Sequence, residues 1–370
     1  MMTSLRRWLA VLAGLAVLIA LPAAVGALPA TSSDLSAADL LGRIQHSQQV
    51  GYSGYAESAG GLALPVTSQF SALADLFGGN TQLRVWFRSA RDWRVDSISI
   101  AGETDVHTSE LGSWSWNYES NTATFTEQAV TPEVRLPADA DLLPPMLASR
   151  LLSQASAAEA SRLPSARVAG VSAAGLRIRP SDPVSSIGEV DVWADPRTGL
   201  PLRVKVFGKQ SSSTAITSSF LDVAISTPPP SSTAFRIPVG SNLHSDTTPD
   251  LATALDQLGS AAPPAKLAGI DRNALLPSLG SVGVYGRAVT EFVIVPLPRR
   301  VAYSLHRQLA PAAAADANNP DSQLVLAAGP LNLLLTSFDD PGGPWLLIGT
   351  VTAATLATAA QGLPVNPGLR

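Results

Sequence analysis

GEVDVWADPRTGLPLRVKVF, residues 188–207, decides the fold. It reads as a strand over 188–194, a turn at Asp195-Pro196-Arg197-Thr198-Gly199, and a return strand over 201–209. Short strands joined by tight turns are antiparallel neighbours. Strands are also expected at 167–180 and 214–225, and a first domain closes near Phe235-Arg236-Ile237-Pro238.

The same period of two runs through the preceding hundred residues. Leu83, Val85 and Phe87 alternate with Arg84, Trp86 and Arg88, and Trp93 and Val95 alternate with Arg94 and Asp96. Trp114, Trp116 and Tyr118 line one side of the next strand, and residues 121–126 return along it after a turn at Glu119-Ser120-Asn121. The result is an antiparallel meander with one buried face. Helical spacing interrupts it. Ser36 caps a helix over 36–48 with Asp39 as return partner, followed by a strand over 50–57. Phe70, Leu73 and Phe77 form one face of a helix over 65–77, closed by Gly78-Gly79-Asn80. Pro144-Pro145 opens a helix through Leu152, with Met146, Leu147 and Leu151 on its apolar side.

Residues 241–264 are polar and rich in Ser, Ala and Pro, and read as a linker with one helix at 250–258. A smaller domain over 265–370 follows: strands at 282–285 and 291–295, a helix at 299–309 and a loop at 311–320. Strands at 324–327, 331–338 and 345–351 come next, then a helix at 353–361. Residues 345–363 carry no charge, yet the threonines among them make a poor membrane span, and a strand followed by a Thr352-capped helix accounts for them better.

The N-terminus has the form of an export signal. Arg6 and Arg7 precede an apolar run over 8–21, Pro22 breaks it, and Val25-Gly26-Ala27 supplies small residues for cleavage. The chain is therefore expected to work outside the cytoplasmic membrane, with residues 1–27 removed. The alternative is retention as an N-terminal anchor, with the body peripheral to the outer surface of the membrane.

Composition narrows the function. Hydrophobic residues make up 46% of the 370, enough for a core, and charged residues 15%. Twenty-five Lys and Arg stand against 29 Asp and Glu, with no basic patch to attract nucleic acid. Cysteine is absent, which removes disulfides, thiolate metal sites and a lipid-modified N-terminal cysteine.

A search for catalytic groups finds none in register. His46, His107, His244 and His306 lie far apart and in no metal-ligand spacing, and Gly51-Tyr52-Ser53-Gly54 places its second glycine too early for a nucleophile elbow. Asp339-Asp340 reads as a solvated turn, and Arg299-Arg300 as a solvated helix face or a meeting point for an anionic partner. No cofactor, metal or enzymatic activity is expected. What remains is apolar surface. A helix lying across the concave side of a curved sheet leaves a cavity of the kind that takes lipid or acyl chains. The candidate lining is Phe70, Leu73, Phe77, Leu83, Val85, Phe87, Trp114, Trp116, Met146, Leu147 and Leu151; the plainer reading is a core between helix and sheet.

The order of these motifs is familiar. LLGRIQHSQQVGYSGY (40–55), RVWFRSARDWRVD (84–96), SWSWNYESNTAT (113–124) and above all GEVDVWADPRTGLPLRVKVF resemble the LolA/LppX/RseB superfamily, most closely its actinobacterial MucB/RseB-like branch. The resemblance covers about residues 35–240, and VGVYGRAVTEFVIVPLP (282–298) with PWLLIGTVTAATL (344–356) looks like the smaller C-terminal domain of that branch. It implies an α+β fold, an antiparallel half-open β-barrel with a helical lid followed by a smaller α+β domain, and no catalysis. RseB-type members are expected to bind the extracytoplasmic domain of a membrane anti-sigma factor and to sense acylated lipid or lipoprotein. LolA-type members carry lipids or lipoproteins, which is the rival function. The family motifs are structural and carry no functional residue over.

Overall fold

The computed structural model of the chain describes residues 29–62, 77–99, 102–127, 137–209, 211, 213–246, 262–273, 281–313, 323–338 and 343–365, together with Trp8 and Val11. Apart from Trp8 and Val11, the segment expected to form the export signal (1–27) lies outside these residues, as do most of the helix over 65–77 and the helix at 250–258.

Twelve strands form one curved sheet. In chain order they are β1 (Tyr52–Gly60), β2 (Asn80–Ser89), β3 (Asp92–Ser99), β4 (Gly102–Ser109), β5 (Gly112–Asn117) and β6 (Thr122–Glu127), then β7 (Ala160–Val168), β8 (Val171–Ile178), β9 (Ile187–Ala194), β10 (Pro201–Gly208), β11 (Thr214–Ala224) and β12 (Asn242–Asp246). Their spatial order is β12-β6-β5-β4-β3-β2-β1-β11-β10-β9-β8-β7, so two meanders meet at the β1–β11 pair. Every pairing is antiparallel except β12 against β6.

Two boundaries differ from the sequence reading. The strand expected over 167–180 is a hairpin, with β7 and β8 joined at Ala169 (φ 47°) and Gly170 (φ 78°), a turn with both central residues left-handed. The linker expected from residue 241 begins with β12, a strand of the large sheet.

Helices α1 (Ala37–His46) and α2 (Pro144–Leu152) pack on one face of the sheet, which we call the inner face. Ser36 caps α1, its hydroxyl accepting from the Asp39 N–H (3.1 Å) and donating to Asp39 Oδ2 (2.7 Å). Leu40, Leu41 and Ile44 of α1 and Leu147, Ala148 and Leu152 of α2 join Leu176, Val190, Val192 and Val204 in one buried cluster. The turn quoted at the outset docks onto α1. Asp195 Oδ2 accepts from Thr198 N (3.1 Å) and Thr198 Oγ1 (2.7 Å), Gly199 takes φ 75°, and Arg43 donates to the Pro196 carbonyl (2.5 Å).

A second, five-stranded antiparallel sheet follows: β15 (Gly283–Arg287), β16 (Thr290–Pro296), β17 (Leu324–Ala328), β18 (Leu331–Leu335) and β19 (Trp345–Gly349), ordered β15-β16-β19-β18-β17 and preceded by the short pair β13 (Lys266–Leu267) and β14 (Ile270–Asp271). α3 (Arg299–Leu309) covers Leu333, Leu335 and Leu346, and α4 (Ala353–Ala360) covers Leu334, Trp345 and Leu347. Alternation along β18 thus supplies both cores. Thr352 caps α4 as expected, accepting from the Thr355 N–H at 3.2 Å. The two sheets meet along a backbone seam: Ser186 N–H donates to Thr350 O (3.0 Å), Thr352 N–H donates to Val184 O (2.8 Å), and Ser185 bridges Val351. No helix among the described residues is long and apolar enough to cross a membrane.

Candidate functional site

Strand register divides the expected cavity residues between the two faces of the sheet. Val85 stands opposite Val95, Val95 opposite Val106, and Val106 opposite Ser115, so Leu83, Val85 and Phe87 share the inner face with Ser113, Ser115 and Asn117. Trp114 and Trp116 follow the other parity, with His107, Asp105, Arg94 and Trp86. They lie on the outer face and do not join Leu83, Val85 and Phe87. Alternation within each strand is legible in the sequence; the parity between β2 and β5 depends on three intervening connections.

On the inner face, Leu83, Val85 and Phe87 are buried in a cluster with Tyr52, Ala56, Val95, Leu142, Leu143 and Phe220. Tyr52 stacks on Phe87 at 5.1 Å and meets Phe220 edge-on at 5.8 Å. Met146 packs on this cluster, Leu147 and Leu151 belong with the α1–α2 cluster, and Phe77 touches both. Phe70 and Leu73 lie outside the described residues. Two hydroxyls stand out here: Tyr52 Oη and Ser58 Oγ are buried with no hydrogen-bond partner among the described residues. Burial also raises the Tyr52 phenol above its usual range. Nothing in the sequence marks these groups, because a Tyr and a Ser in alternation resemble any other strand residues.

The outer face is polar where the inner one is apolar. Arg94 holds Asp96 with two bonds (2.5 and 2.9 Å) and Asp105 with a third (2.9 Å), while its guanidinium lies 4.9 Å from the Trp86 ring. Asp96 and Asp105 are both buried, and Asp105 Oδ1 has no hydrogen-bond partner among the described residues. Burial, then repulsion from Asp96, pushes the Asp105 carboxyl up to about 7 against the pull of Arg94. Asp96, Glu103 and Asp105 bring one carboxylate oxygen each within 4.8 Å of the others, the only such grouping among the described residues. Arg94 already supplies its cation. A cleft of about 300 Å³ opens beside it, between Ser53, Tyr55, Arg84, Trp86 and Asp222.

A proline-rich strap crosses this face between β11 and β12. Arg88 donates to the Pro228 carbonyl, His107 Nδ1 donates to Thr233 O (2.8 Å), and Phe235 stacks on Trp114 at 5.1 Å with His107 at the same distance. Burial lowers the His107 pKa, against the opposing pull of its bond to Thr233, and so favours the neutral imidazole. Trp114 is thereby committed to holding the strap.

These features define an α+β protein built on one large antiparallel sheet, with helices on its inner face and an ion-paired, strapped outer face. Solved structures similar to it are MucB and LolA-superfamily proteins. MucB in complex with MucA(peri) is 15% identical with a TM-score of 0.47, covering 88% of this chain and 97% of that one. The MucA/MucB complex of Pseudomonas aeruginosa is 15% identical with a TM-score of 0.48, covering 88% and 96%. A LolA-superfamily protein from Nitrosomonas europaea is 10% identical with a TM-score of 0.24, covering 54% of this chain and 98% of that one. No protein-family model and no curated protein matches the chain.

Proposed function

We propose that this chain is an exported, non-catalytic binding protein whose large sheet serves as a half-open barrel with a helical lid. Its partner is the extracytoplasmic segment of a membrane anti-sigma factor, and a hydrophobic ligand, an acylated lipid or lipoprotein, modulates that contact. The partner class comes from the sequence resemblance centred on residues 188–207. The observation that carries the ligand is the orphaned Tyr52 hydroxyl on the inner face. Tyr52 stacks on Phe87 within the apolar cluster and its Oη has no partner among the described residues, where a ligand with an apolar chain and a polar head would meet both surfaces. Phe77 and Met146, each half-buried against this core, mark where such a chain would enter.

The partner is tested by affinity capture from membranes of the native host. The expected result is a single-pass anti-sigma protein recovered reproducibly; recovery of no reproducible partner overturns that part. Native mass spectrometry of the captured protein tests the ligand. Stoichiometric lipid with a membrane partner supports a sensor, and lipid alone moves the reading to a carrier.

A further inference from the structure

The ligand proposed above occupies the inner face of the sheet, whereas the cleft beside Arg94 opens on the outer face. It spans three neighbouring strands. Ser53 of β1 stands between Trp86 of β2 and Ala224 of β11, and Tyr55 stands between Arg84 and Asp222. Together with Gly54 these residues line about 300 Å³. Two local features shape it. The β1–β11 register shifts between Tyr55 and Ala56, which leaves Leu221 as the extra residue of a bulge beside Asp222. A Cβ on Gly54 would lie 2.4 Å from the Asp222 carbonyl oxygen, so glycine is what lets β11 come this close.

The polar groups of this cleft are uncommitted. Among the described residues the side chains of Ser53, Tyr55 and Asp222 make no hydrogen bond and no ion pair. Arg84 reaches only Glu103, at 3.6 Å, which is beyond hydrogen-bond length, and half of its side chain is exposed. The Trp86 ring is held in place by the Arg94 guanidinium at 4.9 Å. Tyr55 and Trp86 thus offer aromatic surface, Asp222 accepts, Arg84 donates, and the two hydroxyls do both. One carboxylate and one guanidinium leave the lining without net charge.

We propose that this cleft binds an uncharged saccharide. A pyranose carries C–H groups on its faces and hydroxyls around its rim. It can therefore stack on the aromatic surface while its hydroxyls meet Asp222, Arg84, Ser53 and Tyr55. A phosphorylated or acidic sugar would set its charge against Asp222, and a cation would set its own against Arg84. A small zwitterion holds its two charges close together. Asp222 and Arg84 instead stand on strands separated by β1, roughly 10 Å apart at the backbone.

Saturation-transfer NMR and calorimetry on the full chain test this. The probes are maltotriose, mannotriose and tri-N-acetylchitotriose, with glucose 6-phosphate and glycylglycine as charged controls. The expected result is saturable binding of at least one neutral trisaccharide, indifferent to salt. Asp222→Ala removes an exposed acceptor, so it should fold and weaken that binding by roughly tenfold or more. Asp222→Asn keeps an acceptor without the charge and should retain the binding. No binding of any trisaccharide, a preference for either charged control, or binding indifferent to Asp222→Ala overturns the proposal. Equal loss in both variants also overturns it, because the cleft would then be reading charge. Displacement of the bound trisaccharide by wall polysaccharide of the host assigns a polymer as its source, and displacement by phosphatidylcholine vesicles containing digalactosyl diglyceride assigns a lipid headgroup. Displacement by neither assigns a free oligosaccharide. Failure here leaves the inner-face ligand untouched, since Tyr52 and Tyr55 lie on opposite faces of β1.

Discussion

A Cβ placed on Gly199 would lie 2.3 Å from the carbonyl oxygen of Arg43. The turn that most specifically marks this sequence therefore owes its glycine to two demands, a left-handed φ of 75° and the close approach of the α1 backbone. Gly199→Ala should cost about 2–3 kcal/mol, read as a fall in urea midpoint at unchanged m-value. Because the obstructing atom is backbone, Arg43→Ala should not restore stability in the double variant. Restoration would mean that side-chain crowding sets the requirement.

Tyr52 separates a ligand site from a plain core. Removing an orphaned buried hydroxyl relieves a desolvation penalty, so Tyr52→Phe should raise the stability of the ligand-free protein by about 1 kcal/mol. The same variant should retain less co-purified lipid in native mass spectrometry. A stable variant whose lipid content is unchanged would remove Tyr52 from the site.

How far the sequence disclosed this arrangement differs from element to element. Leu83, Val85 and Phe87 announced both a strand and its buried side, since period-two alternation is a local signal. Trp114 and Trp116 announced a strand and not which face of the sheet they join, because that face depends on register across β3, β4 and β5. β4, Gly-Glu-Thr-Asp-Val-His-Thr-Ser, carries no such signal: it buries Asp105 and His107, and polar residues on both faces erase the alternation. β12 was hidden for the same reason, as Asn-Leu-His-Ser-Asp has the composition of a linker. The buried Arg94–Asp96–Asp105 network and the two orphaned hydroxyls arise from residues on different strands, and no spacing along the chain predicts them.

Phe235 is the side chain through which the strap grips the outer face. Phe235→Ala removes its stacking on Trp114 and its contact with His107, and should cost about 1–2 kcal/mol. Tryptophan emission should shift to the red as Trp114 gains water, and exchange of the amides in 228–241 should quicken. If emission is unmoved, Trp114 is shielded by something other than the strap.

Asp105 should give the protein a stability that falls as pH rises. Its folded carboxyl, buried and beside Asp96, titrates near 7 against an ordinary 3.8, so the native state holds this proton more tightly than the unfolded chain does. Its contribution is fully present below about pH 4 and is lost as pH climbs through 7, where a second negative charge must share Arg94 with Asp96. Asp105→Asn keeps an acceptor for Arg94 and carries no titrating proton. Urea midpoints taken from pH 4 to 8 should therefore decline for the native sequence and stay flatter for the variant. Parallel profiles would place the titration elsewhere, and a variant that loses stability at every pH would mean that the Asp105 charge is needed to hold Arg94 against Trp86.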